Sequence, residues 1–394
     1  MIFHFTQKSF ISSLFTILVS GGLLFLLVMA ACAQEEDNDN QNSSSFEEEP
    51  AQDEFRDFLL DHEPEWFKSP QAQMIAENIL LFQRASGGWP KNITLNRPLT
   101  AADKKKLAEY NNEPFATIDN GATFTEMRFL AQFHAVSKKQ DYILAFLKGL
   151  DYLLEAQYAN GGWPQFYPLR KGYYSHITFN DDAMVGVLRL LRDIAGSRPG
   201  YEFVDSDRRE RARLAWHNGI DCILKTQIKV NNQLTAWCAQ YDEKTLLPAK
   251  ARNYELVSLS GDETVNIIRF LMEIDNPSPQ IVAAIQSAVK WLDDVKLTGM
   301  RVIRQPDPKS PTGFDKQVIA DPDAPPLWAR FYLIGSNKPF FSDRDGKIYY
   351  DLAQISSERR NNYGWLGYWP EDVLNRYYPK WQKKWAPDWN VLAH

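Results

Sequence analysis

Two short stretches of this 394-residue chain concentrate side-chain oxygens: Asp119-Asn120 in "ATIDNGATFTEM" and Asn180-Asp181-Asp182 in "ITFNDDAM". A cluster of carboxylate and amide oxygens alone suits a hard cation such as Ca²⁺. Asp and Asn also cap helix N-termini, so capping is the plain alternative for either cluster by itself. Their recurrence in equivalent positions, with Asn120 pairing with Asp181, weighs toward a shared site.

Basic residues gather further along. "LPAKARNYE" holds Lys250 and Arg252, "PPLWARFY" holds Arg330, and "FFSDRDGK" holds Arg344 between two aspartates. Arginine forks grip carboxylates in two-pronged fashion. A salt-bridged surface is the usual fate of an arginine, but the aromatic settings of Tyr254, Trp328, Tyr332 and Phe340-Phe341 point to a site instead. Other chemistries find no support: metalloprotease and zinc-finger spacings are absent, no Gly-rich loop carries a phosphate-binding Lys, and the six histidines do not cluster along the chain.

The elements that must position these groups repeat. "RASGGWPKN" (84–92) is echoed by "YANGGWPQFYP" (158–168), with Trp89 and Trp163 in equivalent places and Trp237 in "LTAWCAQYD" one further period on. Each Gly-Gly-Trp-Pro follows a helical pattern that glycine stops and proline forbids from continuing. The tryptophans either plug the helix ends or offer a platform to a sugar ring, and packing is the expectation. "IDNGATFTEMRFL", "FNDDAMVGVLRLL" and "LSGDETVNIIRFL" align without gaps, bringing Arg128, Arg189 and Arg269 into register, and each is followed by apolar residues at helical spacing. The expected fold is all-α, built from helical hairpins repeated three times around a ring or barrel.

The N-terminus has its own logic. Residues 1–32 read as an export signal of lipoprotein type: Lys8, an apolar run from Phe10 to Leu27, then "VMAAC", with Cys32 the residue to be lipidated. Residues 33–55 hold nine acidic residues, no basic one and a serine run, the composition of a disordered tether. Residues 56–394 then form the folded domain and, with 43 basic and 41 acidic residues, carry about +2, so the fold can approach a polyanion although the whole chain is at −6. The expected location is exported, lipid-anchored at the bacterial outer membrane or cell surface, otherwise secreted or periplasmic. The membrane is met only through that anchor, and no nucleic-acid partner is expected. Cys222 and Cys238 are too few for a disulfide scaffold.

The ordered motifs "LLFQRASGGWPKN", "ATIDNGATFTEM", "YANGGWPQFYP", "ITFNDDAM", "LPAKARNYE", "WARFY" and "FFSDRDG" resemble those of the pectate lyases of polysaccharide lyase family 10, over about Met74 to Tyr368. The resemblance implies an (α/α)3 toroid with a groove for polygalacturonate and a Ca²⁺ bridging substrate carboxylate and protein acids. It implies Asp119, Asn120 and Asp181 as the metal-side positions, Arg252 as the catalytic base, and Lys250, Arg330 and Arg344 as substrate-binding residues. The implied reaction is β-elimination to 4,5-unsaturated oligogalacturonides, in which a cation and arginine donors stabilise charge developing beside the C6 carboxylate. Arginine is protonated at ordinary pH, so a base role requires neighbouring cations and alkaline conditions. The alternatives are a non-catalytic acidic-glycan-binding surface lipoprotein on the same frame, and an inverting glycosidase, which has no use for an arginine base.

Overall fold

The computed structural model describes residues 59–60, 62–110 and 113–393, so the signal (1–32) and linker (33–55) readings lie outside the described residues. The main helices are α1 (Pro70–Phe82), α2 (Ala101–Tyr110), α3 (Phe124–Ser137), α4 (Gln140–Ala156), α5 (Ala183–Ala195), α6 (Ser206–Thr226), α7 (Glu263–Met272) and α8 (Pro279–Asp294). They pack in consecutive pairs, α3 on α4, α5 on α6 and α7 on α8, with α5 also touching α3 and α7. Their patterning explains this. On α8, Ile281, Ala284, Ile285, Ala288, Val289 and Leu292 recur at three- and four-residue steps and are buried, while Ser278 caps the first turn and Pro279 starts it. On α5, Met184, Val185, Val187, Leu188, Leu190 and Leu191 are all buried, because this helix is enclosed on most of its sides.

The repeated turns lock the pairs together by one device used three times. The Gln83 amide donates to the carbonyls of Gly87 and Ala145. Gln157 does the same to Gly161 and Ala215, and Gln227 to Thr235 and Ala284. Trp89, Trp163 and Trp237 are fully buried, and their indole N–H groups donate to the carbonyls of Ile79, Leu153 and Ile223 on the preceding helix. The tryptophans therefore pack and present no ring to a ligand. Gly87 and Gly161 have φ of 111° and 93°, and a Cβ on either would collide with the carbonyl of Lys148 or Asn218, which is why glycine stands there.

Strands overturn the all-α (α/α)3 toroid expected from the sequence. The described residues contain fourteen short strands in six sheets. Doublets follow the turns or precede the helices: β1 (Ala116–Thr117) pairs with β2 (Phe166–Tyr167), β3 (Ile177–Thr178) with β6 (Gln240–Tyr241), and β4 (Lys229–Val230) with β5 (Gln233–Leu234). The longer strands lie beyond α8. β8 (Met300–Pro306) and β9 (Phe314–Ala320) form a seven-residue hairpin. β7 (Leu259–Ser260), β11 (Phe331–Tyr332), β12 (Pro339–Ser342) and β13 (Ile348–Tyr349) form a sheet in the order β13-β12-β11-β7, and β10 (Trp328–Ala329) pairs with β14 (Leu366–Gly367). "MRVIRQP" and "FDKQVIA" each carry an adjacent β-branched pair, Val302-Ile303 and Val318-Ile319, which favours a strand without showing a clean period of two, and two-residue strands are too short to register against a helical period.

The gapless alignment of the third repeat also needs correction. Backbone N–H groups of Thr117, Thr178 and Ser260 donate to the carbonyls of Trp89, Trp163 and Trp237, so these three residues are equivalent. Yet Thr123 and Thr264 hydroxyls take equivalent bonds from Trp89 and Trp237 N–H. Strand and helix registers thus differ by two residues, and the third repeat lacks the turn that carries Asn120 and Asp181 in the first two. At the C-terminus, Trp381 is buried and the Tyr378 hydroxyl bonds Gln286 of α8, whereas Trp389 remains 48% exposed. Cys222 and Cys238 are buried free thiols.

Candidate active site

Two 3-10 turns, Asp119–Gly121 and Asn180–Asp182, pack against each other at the starts of α3 and α5. Asn120 (φ 52°) and Asp181 (φ 49°) occupy the left-handed region at matching places, a conformation that Asn and Asp tolerate better than other residues with a Cβ. Neither turn supplies a side-chain cap to the helix that follows, so the capping explanation fails. Asp119 is buried. Its Oδ2 accepts from Lys91 Nζ at 2.7 Å, while its Oδ1 is buried without a hydrogen bond. Burial, then the nearby charge of Asp119, push the Asp181 carboxyl up to about 6 against the pull of Arg330.

Arg330 joins this acidic side to the basic one. It stands between β10 and β11 where the chain passes from one sheet to another, its N–H bonded to the Trp365 carbonyl and its own carbonyl accepting from Gly261 N–H. A Cβ at Gly261 would strike the Ala329 carbonyl, so glycine permits the approach. The buried guanidinium lies 3.2 Å from Asp262 Oδ2 and 3.8 Å from Asp181 Oδ1, and also donates to Glu263 Oε1. Burial pushes Asp262 up to about 7, with Arg330 opposing and Glu263 adding. Burial alone would lower the Arg330 guanidinium, but Glu263, Tyr363 and Asp262 outweigh it and hold it charged.

The Arg330 guanidinium also sits 5.0 Å from the centre of the Tyr363 ring, which with Tyr254 forms the floor of a cation-lined patch. Arg252 lies 5.0 Å from the Tyr254 ring and 5.9 Å from that of Tyr363. Arg359 lies 4.3 Å from Tyr254, and Arg344 lies 6.0 Å from it. The rings rest on an apolar cluster of Phe331, Phe340, Phe341, Leu352, Ile355 and Trp365. Arg252 pairs with buried Glu255, and Arg344 with exposed Glu358. Burial alone would lower the Arg252 guanidinium, but Glu255 overrides it and pushes it up.

The structure therefore brings Asp119, Asn120, Asp181, Arg330, Arg252 and Arg344 into one connected site. Lys250 is exposed, two residues before Arg252, with no ion pair or hydrogen bond of its own among the described residues. Lys91, Glu255, Asp262, Glu263, Arg359 and Tyr363 belong to the site but escape the sequence reading. Lys91 and Glu255 carried a signal by lying inside a matched motif, and Asp262 and Glu263 by lying in the third repeat, "LSGDETVNIIRFL".

The donor set of the two turns suits a hard cation. The donors are oxygens, Asp119 keeps a buried oxygen free of hydrogen bonds, and the carboxylates of Asp119, Asp181, Asp262 and Glu263 outnumber Lys91 and Arg330. Elsewhere among the described residues, His176, Asp242 and Glu243 place ligand atoms within 4.8 Å of one another, a group that includes none of the residues above.

This joining of an oxygen-rich turn pair to an arginine-lined aromatic floor has the charge and shape chemistry that suits an acidic substrate. The family model for pectic acid lyase matches residues 83–374. The chain is similar to the solved family 10 polysaccharide lyase from Cellvibrio cellulosa, with 34% identity and a TM-score of 0.70, covering 80% of this chain and 94% of that one. An aspartate-to-alanine mutant of the Cellvibrio cellulosa family 10 lyase, in complex with trigalacturonic acid, is 32% identical with a TM-score of 0.70, covering 86% of this chain and all of that one. No curated protein matches the sequence. The chain belongs to the pectic acid lyase family, in polysaccharide lyase family 10, and it is a lyase.

Proposed function

We propose that this enzyme cleaves polygalacturonate, the polymer of de-esterified pectin, by β-elimination with Ca²⁺ as cofactor, releasing 4,5-unsaturated oligogalacturonides. The observation that carries the reading is the Arg330 guanidinium, which spans the carboxylate turns on one side and the Tyr363 floor beside Arg252 on the other. Arg330 and Arg344, with exposed Lys250, bind substrate carboxylates, and Arg359 adds a fourth cation above Tyr254. Asp119, Asn120 and Asp181 would hold Ca²⁺, which would draw electron density from the carboxylate of the reacting sugar.

Arg252, in its neutral form, takes the proton from C5. The C5–H electron pair forms the C4=C5 double bond, the C4–O bond to the leaving sugar breaks, and that oxygen takes a proton from solvent. Glu255 opposes neutral Arg252, whereas Arg344 and Arg359, which share the Tyr254 ring with it, favour the neutral form. Turnover therefore rises into the alkaline range. Depolymerisation of polygalacturonate by purified residues 56–394, with Ca²⁺ or with excess chelator, tests the assignment. Full activity in chelator would remove the metal from it.

An N-terminal lipid on Cys32, followed by the acidic tether, completes the proposal and places the enzyme on the outer membrane or cell surface. Among the described residues no helix is long and apolar enough to cross a membrane.

A further inference from the structure

We infer that Glu255 is the positioning residue for Arg252, with the Tyr363 hydroxyl fixing Glu255 in turn; this rests on the pectate lyase reading above. Glu255 is 7% exposed. It takes the Nε–Nη2 edge of the guanidinium, with Nε 2.9 Å from Oε2 and Nη2 2.5 Å from Oε1. Oε2 also accepts from the Arg252 backbone N–H at 3.1 Å, and the Glu255 N–H bonds the Arg252 carbonyl at 2.8 Å, so residues 252–255 form a closed turn. From the far side of the chain, the Tyr363 hydroxyl donates to Oε1 at 2.8 Å.

A guanidinium has two edges and an outer nitrogen, and a bidentate carboxylate on one edge fixes the plane and the direction of the rest. Here the gripped edge leaves Nη1 without a partner among the described residues, on a side chain that is 45% exposed. Nη1 is thus the nitrogen offered to a substrate proton, and it is aimed by a carboxylate that touches no substrate. The same carboxylate sets the charge balance at Arg252. The groups facing it are Glu255, Tyr254 and Tyr363, with Arg344 and Arg359 over the shared ring and Lys250 along the chain. Glu255 is the one ionised acid among them, and Arg252 and Tyr363 together hold it below the usual carboxylate range despite its burial.

Removing the charge and altering the reach separate the two roles. In Glu255→Gln, one amide oxygen still accepts from Arg252 but the charge is gone, so the pH at which turnover levels off moves toward neutrality by about one unit or more. In Glu255→Asp, the charge stays while the reach shortens. The pH profile then keeps its position and kcat falls by up to about 10²-fold, the loss expected for a misplacement near 1 Å. Tyr363→Phe removes only the hydroxyl donor and is expected to lower kcat with KM little changed.

The assay is the formation of ultraviolet-absorbing product from polygalacturonate across pH, with folding checked by circular dichroism. A Glu255→Gln profile that superimposes on wild type would overturn the inference, and so would a Glu255→Asp enzyme with wild-type kcat. These failures differ from failure of the reading beneath them. If wild type released no unsaturated product, or Arg252→Ala kept full turnover, the lyase mechanism or its base would fall first and this inference with it.

Discussion

Arg330→Ala removes one guanidinium from between three carboxylates, and its cost can be worked from the contacts. Glu263 is 2% exposed and Asp262 18% exposed, so both lose a partner in a largely dry setting, whereas Asp181 keeps 39% exposure and contributes least. Stripping one partner from a buried ion pair costs about 3–5 kcal/mol. Because one guanidinium serves all three acids, their losses do not add, and that range stands for the whole site. With an unfolding entropy of about 2.1 cal/mol/K per residue over roughly 330 residues, the melting temperature falls by about 4–7 °C.

The sign with pH follows from the acids. Asp181 and Asp262 already have folded-state values of about 6 and about 7, above their ordinary range, so between pH 4 and 7 the folded chain binds more protons than the unfolded one. Stability from these two groups therefore falls as pH rises through that window. Arg330→Ala raises both carboxyls further, so its penalty is full at pH 8 and shrinks at pH 5, where the acids are neutral. Thermal melts of wild type and variant at both pH values, without Ca²⁺, read this directly. Melting points within 1 °C of each other at pH 8 would refute the central place given to Arg330.

Three further outcomes follow. Arg252→Ala abolishes turnover while oligogalacturonate binding by calorimetry stays near wild type, and lysine at 252 rescues little because it lacks the planar reach; near wild-type turnover would move the base elsewhere. Trp163→Ala costs about 3–5 kcal/mol in denaturant unfolding, as for a buried core aromatic, and a loss of substrate affinity with unchanged stability would instead return the ring to the groove. Cys32→Ala releases the protein from membranes with unchanged specific activity, and retention would point to an uncleaved apolar anchor.

The sequence made the helical repeats and most of the polar site visible because both rest on short local patterns. Three helix pairs follow from apolar residues at three- and four-residue steps, and the Gly-Gly-Trp-Pro turns mark their ends. The strands were lost because doublets such as Ile177–Thr178 pair only with distant partners, here Gln240–Tyr241. The two-residue offset at Ser260 was hidden for a related reason: a gapless match follows the helix and cannot see which residue bonds the Trp237 carbonyl. Asp119, Asn120, Asp181, Arg252, Arg330 and Arg344 carried chemical signals of their own, and the fold brings them together. Glu255 showed only as a neighbour inside the "LPAKARNYE" motif and Tyr363 not at all, because a carboxylate that grips an arginine and a tyrosine 108 residues away become partners only in space.

Product chemistry tests the central claim most directly. Polygalacturonate incubated with the purified enzyme and Ca²⁺ should gain one ultraviolet-absorbing unsaturated uronate for each new reducing end, because each elimination creates both. New reducing ends without the ultraviolet band would mean hydrolysis, and neither signal would mean binding alone; either result would contradict the β-elimination assigned to this site.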